Sequence, residues 1–476
     1  MTMARFPRLA LSVALTGGLA LSGCAPQLRP IPAGVAVPPP LAWRTALPDS
    51  APVDRRWWDG FGDPQLSALV ERARAANADV RLAAARVEEA RGTEAASRSL
   101  LFPALEGGLT AGARREVSAF GKGQDSLVAQ PQFRASYEVD LFGRNRAGAE
   151  AAQAATAASE AAGEAALLSV SAATASGYVA LLALDARQDI LRRTLEGRGL
   201  ALKFARDRAE VGYTSELELR QAEAEYQATA QLLPQVEAQI ARQENALSVL
   251  IGEPPGGIVR GGALAALQLP PPPAVLPSEL LRRRPDIAAA EYRLAATDAQ
   301  MRAARARFMP TLGISATAGA AFSDLLADPV ALWSIGGSLL APIFNAGRLQ
   351  GGLDVATAQR DQAAFAYRGA VLNAFREVED RLVLLSRLGD QKRALEAQRT
   401  AVADAVRHAR NRYRAGYAPY IEQVDAERNL LAVELSLVQL NAEELTAMIG
   451  LYQAAGGHPE AASPASGRRT LYAETP

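Results

Sequence analysis

Apolar residues recur at helical spacing between positions 419 and 455 and form two separate rows. At about 100° per residue, the two rows lie on roughly opposite sides of a helix. One row consists of Ile421, Val424, Leu431, Leu435, Val438, Ala442, Leu445, Ile449 and Tyr452, with Arg428 as its charged member. The other consists of Leu430, Val433, Leu437, Leu440, Ala447 and Leu451, with Glu444 as its exception. A helix of an ordinary bundle normally shows one apolar stripe. Two rows therefore predict a helix with a packed neighbour on each flank, as in a curved wall of helices.

The sequence around this helix occurs twice in the chain. RYRAGYAPYIEQVDAE (412–427) matches RAEVGYTSELELRQAE (208–223) at a shift of 204 residues, and Gly347-Arg348 falls on Gly143-Arg144 at the same shift. A period of this length is far longer than that of solenoid repeats and indicates two copies of one structural half. The predicted parts are copy one at 57–253, a Pro/Gly-rich linker at 254–283 and copy two at 284–456.

Within each copy, the hydrophobic period changes from helical to two over two successive stretches. In 133–141, apolar residues alternate with Arg, Ser, Glu and Asp. Strands of about ten residues are long enough to cross a bilayer as part of a tilted barrel, although soluble hairpins with one solvated face would show the same alternation. The predicted strands are 104–117, 130–141, 311–322 and 332–342, and the predicted long helices are 144–211, 215–252, 348–415 and 419–455. The fold is thus predicted to be mainly α with a membrane β-barrel.

Four strands are too few to close a barrel, since the smallest membrane barrels have about eight. Open strand edges are not tolerated in lipid, because their backbone groups would lack hydrogen-bond partners. If these strands cross a membrane, several chains must therefore share one barrel. The pattern alone does not fix the number of chains.

The N-terminus has the features of an export signal. Arg5 and Arg8 precede a short apolar run that ends in Leu21-Ser22-Gly23-Cys24, and Cys24 is the one cysteine of the chain. This ending resembles a bacterial lipobox, which predicts removal of residues 1–23 and acylation of Cys24; a lone buried cysteine is the alternative. Residues 24–56 are Pro-rich and are expected to form an extended tether. The tail at 457–476 has no periodic pattern and is expected to be disordered.

Composition offers little support for catalysis or for nucleic-acid binding. The formal net charge is zero, so no broad basic field invites nucleic acid. His408 and His458 are the two histidines, and neither has metal-ligand spacing to an acid or to the cysteine. The Gly-rich stretches lack the register of a phosphate-binding loop. We therefore expect a protein without enzymatic activity, metal or other cofactor.

One acidic residue nevertheless stands out by its position. Asp425 lies shortly after the bend at Gly416-Tyr417-Ala418-Pro419 and three residues after Glu422. Most such carboxylates simply lie on solvated helix faces. Rotational symmetry, however, would gather these acids into a charged ring, which is a common device at pore constrictions.

Several motifs, in order and in both copies, resemble the outer membrane factor family, in particular its lipoprotein efflux channels of the NodT type. They are YEVDLFGR (137–144), RRPDIAAAE (283–291), PIFNAGR (342–348) and RYRAGY (412–417). The resemblance implies a homotrimer in which three four-stranded contributions build a twelve-stranded barrel, continuous with an α-helical tunnel across the periplasm. It also implies contacts with outer membrane lipid, a periplasmic adaptor and an inner-membrane pump, commonly of the RND type.

The same resemblance implies roles for individual residues. The family closes its periplasmic end near the start of the last long helix, which places the aperture at Ile421, Glu422 and Asp425. The bend would be supported by Arg414, Gly416 and Tyr417, and the barrel-to-helix junctions would be Gly143, Arg144, Gly347 and Arg348. At the 204-residue shift, Gln221 takes the place of Asp425 in copy one, so each chain is expected to bring one such acid.

The expected function is a passive outer membrane duct of a tripartite efflux system for small molecules such as drugs. Two alternatives stay open at this point. The first is the outer channel of a type I protein export system, which shares the fold. The second is a periplasmic structural lipoprotein that is not a channel.

Overall fold

The computed structural model describes residues 29–45, 50–52, 56–117 and 121–457. The export signal, Cys24 and the tail beyond residue 457 lie outside the described residues. The chain divides into two compact units, one built from 86–160 and 289–368 together with the N-terminal segment, and the other from the remaining stretches.

The first unit contains a four-stranded antiparallel sheet. Its strands follow one another in the order β1-β2-β3-β4, and each is paired with the next along the chain. Their bounds are β1 Ala104–Val117, β2 Gly123–Val139, β3 Thr311–Ser323 and β4 Val330–Leu340. The start predicted for β2, residue 130, was wrong. The polar, Gly-rich stretch before it continues the antiparallel ladder with β1 as far as Val117 opposite Gly123, since backbone pairing does not require apolar side chains.

The two faces of this sheet differ in polarity. Cross-strand neighbours on one face form apolar rows, such as Phe133 beside Ala318 beside Trp333. Rows on the other face are polar, and the adjacent row runs Glu106, Arg134, Thr317, Ser334, with the last two hydroxyls 2.7 Å apart. The large apolar side chains on the first face are exposed within one chain; among them are Leu105, Leu109, Phe133, Trp333, Ile335 and Leu339. A bilayer-facing sheet with a polar lumen has this division.

Two very long helices follow the two hairpins. The helices of the described chain are α1 Pro64–Ala76, α2 Ala78–Ser99, α3 Arg144–Glu210, α4 Glu216–Ala230, α5 Leu232–Leu250, α6 Pro277–Arg283, α7 Pro285–Ala306, α8 Arg348–Arg414 and α9 Tyr420–Ala454. Both α3 and α8 have 67 residues, which corresponds to about 100 Å of helix. Their equal length is the structural counterpart of the 204-residue repeat.

The single helix predicted for 215–252 is interrupted. It ends at Ala230, turns at Gln231 and resumes as α5. The cause is Pro234, which lacks an amide N–H and whose ring collides with the carbonyl of the residue four positions earlier, Ala230. The equivalent helix of copy two, α9, has no proline in its interior and runs unbroken for 35 residues.

The N-terminal segment lies on α8 rather than hanging free. The side chain of Arg360, which is only 2% exposed, donates hydrogen bonds to the carbonyls of Arg29 at 2.6 Å and Pro30 at 3.0 Å. Val35 is buried against Leu294 and Ala364. Pro-rich composition did not reveal this packing, because the bonds go to backbone carbonyls and not to a recognisable side-chain pattern.

Candidate functional site at the ends of the long helices

The helices α3 and α8 end in the same type of turn. Gly212 and Gly416 have φ of 72° and 74°, the left-handed conformation that glycine adopts most easily. After α8, the amide of Gly416 donates to the carbonyl of Tyr413 at 3.0 Å and that of Tyr417 donates to the carbonyl of Arg412 at 2.8 Å. The same pair of bonds follows α3. These are Schellman motifs, which satisfy the last carbonyls of a helix and reverse the chain direction.

The helices that leave the two turns start differently. At the start of α4, the hydroxyl of Ser215 accepts a hydrogen bond from the amide of Glu218 at 3.4 Å. At the start of α9, Pro419 has no side chain that could accept such a bond. The entry to α9 must therefore be held by tertiary contacts.

Those contacts come from two tyrosines whose rings pack at an angle of 55°. The rings of Tyr413 and Tyr420 lie 5.3 Å apart and pack with Ala205 and Val424 in a buried cluster. The hydroxyl of Tyr413 donates to the Glu218 carboxylate of copy one. Burial raises the pKa of Tyr420 to about 12. The pKa of Tyr413 is raised further, first by burial and then by its bond to Glu218. The two turns are thus tied together through neutral tyrosines.

The predicted aperture residues lie on the first two turns of α9. Ile421 is 38% exposed, and Glu422 and Asp425 are exposed. Each acid faces one arginine: Glu422 is 3.4 Å from Arg412, and Asp425 is 3.4 Å from Arg428.

The predicted supports of the bend have unequal surroundings. Gly416 supplies the left-handed backbone of the turn, and the carbonyl of Tyr417 accepts a bond from Arg412 at 3.5 Å. Arg414 is exposed and has no ion pair or hydrogen bond within the part of the chain that the structure describes. The structure therefore gives Arg412, rather than Arg414, the contacts of a supporting cation.

Behind these exposed acids lies a buried ionic network that sequence reasoning missed. Glu225 of α4 and Arg198 of α3 are 9% and 7% exposed and form an ion pair at 3.0 Å. Arg428 of α9 approaches the same carboxylate, with its Nε donating at 2.9 Å. Arg428 therefore links copy one to Asp425 of copy two. One signal was available: Arg428 interrupts an apolar row, and a charge at such a position requires a partner.

The predicted barrel-to-helix junctions are glycine turns followed by capped helices. Gly143 and Gly347 have φ of 74° and 83°. At the first junction, Arg144 pairs with Glu138, and the Asp140 carboxylate accepts a bond from the amide of Arg146 at 2.8 Å.

At the second junction, the amide of Arg348 donates to the carbonyl of Asn345 at 3.0 Å. The side-chain oxygen of Asn345 accepts a bond from the amide of Leu349 at 3.2 Å. An acid in copy one and an amide in copy two thus fill the same role at the start of a long helix.

Among the described residues, no group of three or more His, Cys, Asp and Glu side chains could hold a metal ion. The acids at the helix ends pair with arginines instead. The site is therefore built to hold helices together and to present charge.

The sequence matches the family model described as "Outer membrane efflux protein" over residues 69–253 and 276–457. The chain belongs to the outer membrane efflux protein family. The two matched stretches correspond to the two copies, and the gap between them falls in the linker. Membership confirms the predicted family, an outer membrane efflux channel, and a transport role rather than an enzymatic one.

Relatives within the outer membrane efflux protein family are similar over nearly their whole length. The pyoverdine export outer membrane protein OpmQ of Pseudomonas putida is 32% identical over 94% of this chain and 97% of its own. The toluene efflux pump outer membrane protein TtgC, from another strain of Pseudomonas putida, is 32% identical over 94% and 95%. The solved open state of the Neisseria gonorrhoeae MtrE outer membrane channel is 28% identical, covers 91% of this chain and 97% of its own, and superposes with a TM-score of 0.78. These likenesses confirm the predicted mainly helical fold with four barrel strands.

Proposed function

We propose that three copies of this chain form the outer membrane duct of a tripartite efflux system. The observation that carries this proposal is the four-stranded sheet, with one apolar face, one polar face and two unpaired outer edges at β1 and β4. In lipid those edges need partners, and pairing β1 of one copy with β4 of the next satisfies them. Three such contributions give twelve strands, within the range known for membrane barrels.

The periplasmic aperture of this duct is formed by Ile421, Glu422 and Asp425. Threefold symmetry brings three copies of the two acids together, where their like charges repel and need restraining cations. Arg412 and Arg428 stand beside them at 3.4 Å in each chain. Ile421 contributes an apolar constriction that favours dewetting.

The duct works with a periplasmic adaptor and an inner-membrane pump, commonly of the RND type, because a passive channel has no energy source of its own. Its cargo is a small molecule. Relatives named for pyoverdine export and for toluene efflux support this class over secreted proteins.

The lipid anchor is Cys24, proposed from the lipobox sequence. Labelling cells with a palmitate analogue should tag the natural protein and leave Cys24→Ser untagged. Equal labelling of the two proteins would remove the anchor from the proposal. The barrel itself should retain an exported Cys24→Ser protein in the membrane.

The central test is the assembly and conductance of the detergent-purified protein. Mass measurement should give three chains, and a stable monomer with full strand content would contradict the proposal. In planar bilayers the channel should prefer cations at neutral pH, and Asp425→Ala and Glu422→Ala should reduce that preference. Asp404→Ala, which removes an exposed acid paired only with Arg407 on the same helix, serves as the control. Unchanged selectivity in both aperture variants would exclude these acids from the pore.

A further inference from the structure

A groove of about 1060 Å³ lies between α3, α8 and α9. Its walls are largely apolar; they include Leu184, Leu384, Leu395, Leu435 and Val438. The volume is slightly above the usual range for small-molecule sites, which is about 300–1,000 Å³. An apolar groove by itself does not identify a ligand, so the charges around it decide what it could hold.

Two arginines from different helices line this groove without a partner. Arg187 comes from α3 and Arg381 from α8. Neither side chain forms a hydrogen bond or an ion pair with any residue that the structure describes, and the Nε of Arg187 is shielded from solvent with no acceptor. Other cations of α8 do find acids on α9: Lys392 pairs with Glu444 at 2.7 Å and Arg399 with Glu434 at 3.6 Å.

The position of Arg381 depends on a glycine of α9. A Cβ built on Gly450 would lie 2.7 Å from the Nε of Arg381. The guanidinium therefore lies against the helix backbone, where any larger residue would displace it. In copy one, the residue equivalent to Arg381 at the 204-residue shift is Gly177, and a Cβ there would meet Leu247 instead. The cation at this position is consequently a feature of copy two alone.

One acid lines the groove. Glu443 is exposed, and its carboxylate accepts a hydrogen bond from the side chain of Gln439 at 2.8 Å. Both arginine side chains are partly buried beside apolar surface, and a bound carboxylate or sulfonate would supply the strong, charge-assisted bonds that they lack among the described residues. We propose that this groove binds a small amphiphilic organic anion, with its apolar body against the leucines and its acid group between Arg187 and Arg381.

The groove lies on the same face of α9 as the proposed aperture residue Asp425. Glu443 and Asp425 are 18 residues apart, about five helical turns, so they share a face of the helix. Resting on the proposed function, in which Asp425 faces the lumen, this places the groove along the path of the cargo. The anion would then be a transported molecule held in passing rather than a permanent ligand.

The experiment is isothermal titration of the purified protein, in a neutral maltoside detergent, with naphthalene-2-sulfonate. Its uncharged analogue, naphthalene-2-sulfonamide, is titrated in parallel and should bind much more weakly. Arg381→Gln and Arg187→Gln should each weaken binding of the sulfonate by about tenfold or more, the usual effect of losing a hydrogen bond to a charged group. Arg387→Gln, which removes an exposed cation of α8 paired with Asp390, should leave binding unchanged.

A variant that should tighten binding distinguishes a change at the site from a loss of folding. Glu443→Gln removes the acid from the lining and should tighten binding of the sulfonate. Equal affinity for the sulfonate and the sulfonamide, no binding at all, or an unchanged affinity in all three lining variants would overturn the proposal. Conductance of the same preparation is measured separately. Anion binding without conductance would contradict the proposed channel function and support the anion-binding groove. Conductance without anion binding would contradict only the anion-binding groove.

Discussion

Arg428 is expected to be the cation that holds the aperture closed, and Arg428→Gln is the change that tests it. Arg428 contacts the buried Glu225 carboxylate of copy one through its Nε at 2.9 Å and stands 3.4 Å from Asp425. Its side chain is 54% exposed, so solvent weakens both interactions. We therefore expect the loss of this contact to cost about 1 kcal/mol per chain. This value lies between that of an exposed ion pair and that of a hydrogen bond to a buried charge.

A loss of about 1 kcal/mol changes an equilibrium by roughly fivefold. The ratio of open to closed channels in planar bilayers should therefore rise by roughly fivefold if release of one Arg428 contact limits opening, and by roughly a hundredfold if all three contacts must release and their energies add. Glu225 keeps Arg198 at 3.0 Å in this variant, so the fold should be preserved. Arg407→Gln is the matched control, because Arg407 pairs only with Asp404 on its own helix. An open probability equal to that of the control would refute the role of Arg428.

Three further predictions concern the stability of the helix ends. Glu225→Ala leaves Arg198 buried without its partner and should cost about 3–5 kcal/mol in denaturant unfolding, whereas Glu223→Ala, whose carboxylate is partly exposed, should cost far less. Burial raises the pKa of Tyr420 from the usual 10 to about 12, so the contribution of its neutral form to stability is complete below pH 10 and is lost as the pH rises through 12; Tyr420→Phe should remove this part of the alkaline decline in an unfolding series and leave the part due to Tyr413. Gly416→Ala should destabilise the turn by about 1 kcal/mol, because φ there is 74°, and an unchanged unfolding midpoint would contradict the assigned backbone strain.

Hydrophobic periodicity and the internal repeat predicted most of the helices, strands and turns. The two hydrophobic periods identified the long helices and the strands, since amphipathic spacing is imposed by burial on one face. The repeat of the Gly212 and Gly416 segments identified both turns, because a left-handed helix end strongly favours glycine.

Features that depend on a particular neighbour were not predictable in this way. Pro234 was visible in the sequence, but a helix can tolerate proline within its first turn, and only the structure shows that α5 begins just before it. Glu225 resembled any solvated acid until its burial between Arg198 and Arg428 was known. The candidate aperture could thus be placed on α9 from the sequence, whereas the contact of Arg428 with the buried Glu225 could not.

The bond between Arg360 and the carbonyl of Arg29 also sets a distance to the membrane. Arg29 lies five positions after Cys24, and a fully extended chain advances at most about 3.5 Å per residue. If Cys24 carries the lipid, the distance from the lipid anchor to Arg29 is no longer than about 18 Å. The periplasmic surface of the outer membrane must then lie within that radius of Arg360, which is 12 residues from the start of α8. A short connection between the lipid and the Arg360 contact would hold each chain at one depth in the bilayer before its edge strands pair with those of neighbouring chains.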